Sequence, residues 1–132
     1  MLIVAATVWS ADVIALVLKR VVDRDRPHVL LSEAEPLLRW DASASFPSGH
    51  AATSAAGAVI LAYLLGRWAW GLAVLAAAVA YSRVYIGVHY PVDVLVGAAL
   101  GAAVALVAIV LVRRLRRTSG GRRRSARAKP GG

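Results

Sequence analysis

Four apolar segments, each near the length that crosses a bilayer, follow one another with little chain between most of them: Met1–Leu18, Phe46–Leu65, Trp68–Val88 and Val92–Val112. A helix needs about 20 residues to span the hydrocarbon core. In lipid, a helix satisfies every backbone polar group within its own segment. With 59% hydrophobic residues, the 132-residue chain is too apolar for a soluble domain of its size. The sequence therefore predicts an all-α fold, a multi-pass transmembrane helical bundle of four spans. Residues 1–113 form one membrane-embedded domain, and residues 114–132 form a basic, disordered tail.

Charge orients this bundle. Nine of the 16 basic residues fall between Arg113 and Lys129. Directly after an apolar span, such a run reads as a cytoplasmic anchor touching anionic lipid, not as a nucleic-acid arm. Four spans place both termini on that side, with Arg67. The opposite, extracytoplasmic face then carries Lys19–Ala44 and the turn at His89–Pro91. Six basic residues there (Lys19, Arg20, Arg24, Arg26, Arg39, Arg83) oppose the assignment, because the acids beside them count little. In the loop His28–Ala44, Leu30, Leu31, Leu37, Leu38 and Trp40 suit the membrane interface, and Ser32-x-x-Glu35 has the form of a capping box. The N-terminus lacks the basic region of a signal peptide. The chain has no cysteine, so disulfides, thiolate metal sites and cysteine nucleophiles are excluded.

Three polar motifs stand out: Lys19-x6-Arg26-Pro27, Pro47-Ser48-Gly49-His50 and Ser82-Arg83-x5-His89-x3-Asp93. All fall at span ends on one face. Pro47–His50 separates a polar loop from an apolar run, so it predicts a helix N-terminus, whose amides and dipole favour an anion. An ordinary serine cap beside an unrelated histidine has the same sequence. His89 and Asp93, at i and i+4, allow the carboxylate to accept from one ring nitrogen and leave the other exposed. Pro91 between them predicts a helix start there, so Asp93 serves equally as a cap. Lys19 and Arg26 suit phosphate oxygens or simple snorkelling. Arg83 lies inside a span, where a charge is costly and usually functional. Together these residues can hold a phosphate and attack it. They do not decide which histidine attacks.

In order and spacing the three motifs resemble the pattern of the type 2 phosphatidic acid phosphatase superfamily, which includes undecaprenyl-diphosphate phosphatases and the vanadium haloperoxidases. The resemblance runs from about Val17 to Gly101, with no motif position substituted. It implies that His89 attacks phosphorus to form a phosphohistidine, that Asp93 orients His89, and that His50 protonates the leaving oxygen and then activates water. It implies that Lys19, Arg26, Ser48, Gly49 and Arg83 hold the phosphoryl oxygens, with no metal and no cofactor. Membrane members have six spans. This chain offers four and begins where the third would, so the expected fold is the core of that bundle. The expected substrate is a lipid phosphate at the bilayer surface, polyprenyl (undecaprenyl) diphosphate first, phosphatidic acid or phosphatidylglycerol phosphate next. A vanadate-dependent oxidant and a non-enzymatic membrane subunit are the competing readings. The expected setting is a bacterial plasma membrane, without nucleic acid, and homo-oligomerisation is left open.

Overall fold

The computed structural model describes residues 1–27, 44–66 and 69–127, with side chains described as far as Arg117. The interfacial leucines, Trp40, the Ser32-x-x-Glu35 turn and Arg67 lie outside the described residues. Four helices follow in order: α1 (Leu2–Val22), α2 (Gly49–Leu65), α3 (Ala69–Tyr85) and α4 (Pro91–Arg127). No strand occurs among the described residues. By length and composition two helical stretches can cross a membrane, Leu2–Val22 and Pro91–Arg117. Helices α2 and α3 have 17 residues each, about 25 Å of rise, at the short end of what a span requires.

Helix α2 is the central element and packs on α1, α3 and α4. Its buried positions are Ala51, Ala52, Ala56 and Ile60. Three alanines allow close approach of the neighbouring backbones, which is how helices associate where lipid removes the hydrophobic drive. Helix α1 answers with Ala11 and Ala15, and Ile60 closes the far end against Ala105 and Ile109. Gly97 and Gly101 mark the closest approach of α4. A side chain at Gly97 would overlap the Ser48 carbonyl, and one at Gly101 the Ala52 carbonyl. The Gly-x-x-x-Gly spacing thus acts as a packing contact. Gly101→Val is expected to cost more than the roughly 1–3 kcal/mol of ordinary overpacking, because backbone cannot move aside as a side chain can. Thermal unfolding in detergent would register this as a fall in Tm, and an unchanged Tm would contradict the packing.

Among the described residues α1 and α3 do not touch each other, although both pack on α2. A gap is left over the first turns of α2. Helix ends set its rim. Asp23 adopts a left-handed conformation and stops α1. Ser48 caps α2, its hydroxyl accepting from the Ala51 N–H at 3.4 Å. Pro91 opens α4, where its missing N–H costs nothing. Gly87, at φ 75°, makes the turn that follows α3 and brings His89 back toward α4.

Candidate active site

The gap is a cavity of about 310 Å³ lined by Asp12, Leu16, Lys19, Arg26, Gly49, His50, Thr53, Arg83, Val88 and His89. Six of the eight residues singled out by sequence face it. Several are held by backbone or side chains nearby. Lys19 Nζ donates to the Ala44 carbonyl at 2.7 Å, and Arg26 donates to the Val88 carbonyl at 3.2 Å. Arg83 Nε lies 3.2 Å from the Ser82 hydroxyl. The Ser45 N–H donates to the Arg24 carbonyl at 2.7 Å, tying the end of α1 to the approach to α2. Lys19, Arg26 and Arg83 thereby converge on one cavity at the N-terminus of α2, where backbone N–H groups and the helix dipole add to their field.

Ser48 and Asp93 are fully buried behind the cavity. Ser48 serves as the α2 cap, and its N–H donates to the Asp93 carbonyl at 2.9 Å, so α2 and α4 begin side by side. The Asp93 carboxylate is held from three directions. Oδ1 accepts from Arg24 at 2.9 Å. Oδ2 accepts from the Ser45 hydroxyl at 2.5 Å and from the Tyr90 N–H at 3.0 Å. The Arg24 guanidinium also stacks on Tyr90, 4.3 Å from the ring centre.

The direct His89–Asp93 hydrogen bond expected from the i, i+4 spacing is not formed. Nδ1 and Oδ2 are 3.8 Å apart, beyond hydrogen-bond reach. Ser45 lies between them, with Oγ 3.4 Å from Nδ1. A carboxylate only accepts, so the Ser45 proton is committed to Asp93, and Oγ can then only accept from Nδ1–H. The proton thus rests on Nδ1 and the lone pair on Nε2. The physical reason is local: α4 starts at Pro91, so His89 precedes the helix and lacks the regular i, i+4 geometry.

His89 is 5% exposed. Burial lowers its pKa, Arg26 and Lys19 lower it further, and Asp93 and a hydrogen bond to the Ser45 backbone pull it up, leaving it at about 4 against an ordinary 6.5. The ring is neutral near pH 7. Between those two values the unfolded chain takes up a proton that the folded chain refuses. Stability is therefore complete above pH 6.5 and falls as pH drops toward 4. Unfolding of the native protein is expected to become easier over that window, and His89→Gln is expected to lose less. Parallel curves would contradict a buried neutral ring.

Sequence reasoning missed Ser45, Arg24 and Asp12. The Asp12 carboxylate lies at the cavity wall, 3.6 Å from where a side chain on Gly49 would begin. In the sequence it stands only as one polar interruption of the first span. No cluster of three His, Asp or Glu residues suited to a metal occurs among the described residues.

The chain matches the model of the PAP2 superfamily over residues 1–117. It is 36% identical over 111 residues to an undecaprenyl-diphosphatase of Sulfolobus acidocaldarius, covering 80% of this chain and 54% of that protein. It is 40% identical over 112 residues to a decaprenylphosphoryl-5-phosphoribose phosphatase of Mycobacterium tuberculosis, covering 80% of this chain and 58% of the relative. The chain thus spans a little over half the length of these relatives. The fold superposes on a transmembrane PAP2-type phosphatidylglycerolphosphate phosphatase from Bacillus subtilis with a TM-score of 0.70 at 27% identity, covering 86% of this chain and 59% of that one. A family match over most of the chain, joined to relatives and a neighbour of the same kind, places this chain in the PAP2 superfamily.

Proposed function

We propose that this protein is a membrane lipid-phosphate phosphatase that works through a phosphohistidine on His89. The convergence of Lys19, Arg26, Arg83 and two histidines on one cavity at a helix N-terminus carries this reading. In the proposed cycle the phosphoryl oxygens lie among the three cations and the first amides of α2, with Gly49 allowing close approach and Ser48 holding the helix start in place. His89 Nε2 attacks phosphorus. The P–N bond forms as the P–O bond to the leaving group breaks, and His50 gives that oxygen a proton. His50 then takes a proton from water as the water oxygen attacks phosphorus. Orthophosphate leaves, and His89 returns to its neutral state. Asp93, through Ser45, keeps the Nδ1 proton in place and steadies the charge that develops on the ring. The cationic cradle meets the charge that builds up in the transition state, and electrostatic stabilisation of that kind dominates such catalysis.

In this reading all four helices pass the membrane, with both termini cytoplasmic and the cavity at the opposite surface. A cavity at a membrane surface suits a phosphate head on a lipid tail. Polyprenyl diphosphate is the first-choice substrate, ahead of phosphatidic acid and phosphatidylglycerol phosphate, and two of the relatives are themselves named for prenyl-linked phosphates. The test is phosphate release by purified protein in detergent with EDTA, from those three lipids. Release that persists in EDTA, greatest for the diphosphate, is expected. No release from any lipid by a folded protein would sink the reading.

A further inference from the structure

A second cavity, of about 250 Å³, opens between α2 and α3 and is lined by Ser54, Gly57, Ala58 and Leu61 on one side and Leu72, Leu75, Ala76 and Val79 on the other. Its register matters. On α2, Ser54 follows His50 by four residues, and Ala58 follows Ser54 by four, so all three share one stripe. On α3, Val79 precedes Arg83 by four and Leu75 precedes Val79 by four, again on one stripe. The two helices run antiparallel. Both stripes therefore leave the phosphate cavity together and descend the same cleft, polar at the top and apolar below. From His50 to Leu61, and from Arg83 back to Leu72, the drop is about 16 Å. Small residues on both walls, Gly57, Ala58 and Ala76, leave the space between the helices unfilled by side chains.

From this continuity we infer that the α2–α3 cleft is the seat of the substrate's aliphatic tail, entered from the bilayer, with the phosphate held above it between His50 and Arg83. The inference rests on the phosphatase reading of the upper cavity and deepens it. A larger apolar groove of about 550 Å³ lies between α1 and α4, yet it is a poorer seat. Its α1 wall is Ile3, Thr7, Ser10 and Ile14, whereas the phosphate cavity is faced by Asp12, Leu16 and Lys19. At about 100° per residue those two sets lie on opposite sides of α1. Size favours that groove, but connection to the cations favours the cleft, and only a connected seat can aim a tail-linked phosphate at His89. A tail already rests among lipid chains, so the cleft gains little from burial itself. Its contribution is orientation of the reacting group.

Two measurements test this. The first uses a non-hydrolysable alkyl phosphonate with a diazirine midway along its tail, photolysed in detergent and mapped by peptide mass spectrometry. Labelling within 54–61 and 72–79, displaced by excess unlabelled phosphonate, is expected. Labelling confined to the α1–α4 groove, or spread evenly over the exposed helix faces, would overturn the inference. This readout needs no turnover, so it stands whether or not phosphate is released. The second compares kcat/KM for a long-chain and a short-chain alkyl phosphate. Ala58→Leu and Ala76→Leu, each filling the cleft, should lower the long-to-short ratio tenfold or more. An unchanged ratio in both variants, with both folded, would overturn it. So would a dimer of the native chain that either variant dissociates while labelling is unchanged, since the cleft would then seat a second copy. Absence of release from either phosphate by the native protein would instead count against the phosphatase reading, while the labelling pattern still decides the tail.

Discussion

His89→Ala is expected to lower kcat for lipid-phosphate hydrolysis by about 10⁵-fold or more, with the fold retained, which is the scale of loss when an attacking group is removed. The side chain lines the cavity and is 5% exposed, so alanine leaves a small void but no unpaired charge. Binding should survive, because Lys19, Arg26 and Arg83 still line the cavity. In the proposed cycle His50→Ala removes a proton carrier and leaves the nucleophile in place, so a smaller drop is expected, about 10²–10⁴-fold. It should recover in part with substrates whose leaving group needs no proton. Equal losses in the two variants, or a His89→Ala protein within tenfold of native, would contradict the division of labour.

Asp93→Ala should damage stability and activity together. The carboxylate is fully buried and accepts from Arg24, Ser45 and the Tyr90 N–H. Removing it strands those donors, at about 2–4 kcal/mol, a figure held down because the Arg24 side chain is 39% exposed and can reach water. Activity should fall about 10⁴-fold as the Nδ1 proton loses its anchor, the scale of loss when the carboxylate behind a catalytic histidine is neutralised. Ser45→Ala separates the two effects. It leaves the Arg24 and Tyr90 contacts intact, so most of the stability should remain while kcat falls about 10–100-fold, as when a partner that only orients a reacting group is removed. If Ser45→Ala left kcat unchanged, the serine would not be the link between His89 and Asp93. Chemical unfolding and initial rates on the same preparations measure both quantities.

Much of this was legible in the chain because helix ends carry their own chemistry. Ser48 before Gly49 and an apolar run announces the start of α2. Pro91 announces the start of α4, and both helices begin there. The motifs sit at these ends, so the helical period alone brings them to one face of the bundle. Ser45, by contrast, lies outside every motif. Its part in the site depends on the stretch before Pro47 passing over the start of α4, a contact between residues 48 apart in sequence. Arg24 hides inside the interval between Lys19 and Arg26, and its partner Asp93 is 69 residues away. Local pattern does not report such pairings. For His89 and Asp93 the proline already marks a helix start between them, as found; what the i, i+4 spacing does not report is that Ser45 stands between the ring and the carboxylate, which lie 3.8 Å apart. Asp12 was hidden by the opposite effect. Only the packing of α1 on α2 shows that its carboxylate meets the cavity and not lipid.

If His89 carries the phosphoryl group, the modified histidine can be trapped. Native protein is mixed with lipid phosphate and quenched in base on the millisecond scale, and added phosphoryl mass is mapped by peptide sequencing in a mass spectrometer. A histidine phosphoramidate survives base and is lost in acid, which separates it from phosphoserine and phosphothreonine. One phosphoryl group on His89, absent from His89→Ala and longer-lived in His50→Ala, is the predicted result. Phosphoryl on His50 instead, or a rapid burst of orthophosphate with no modified histidine at any time, would contradict it.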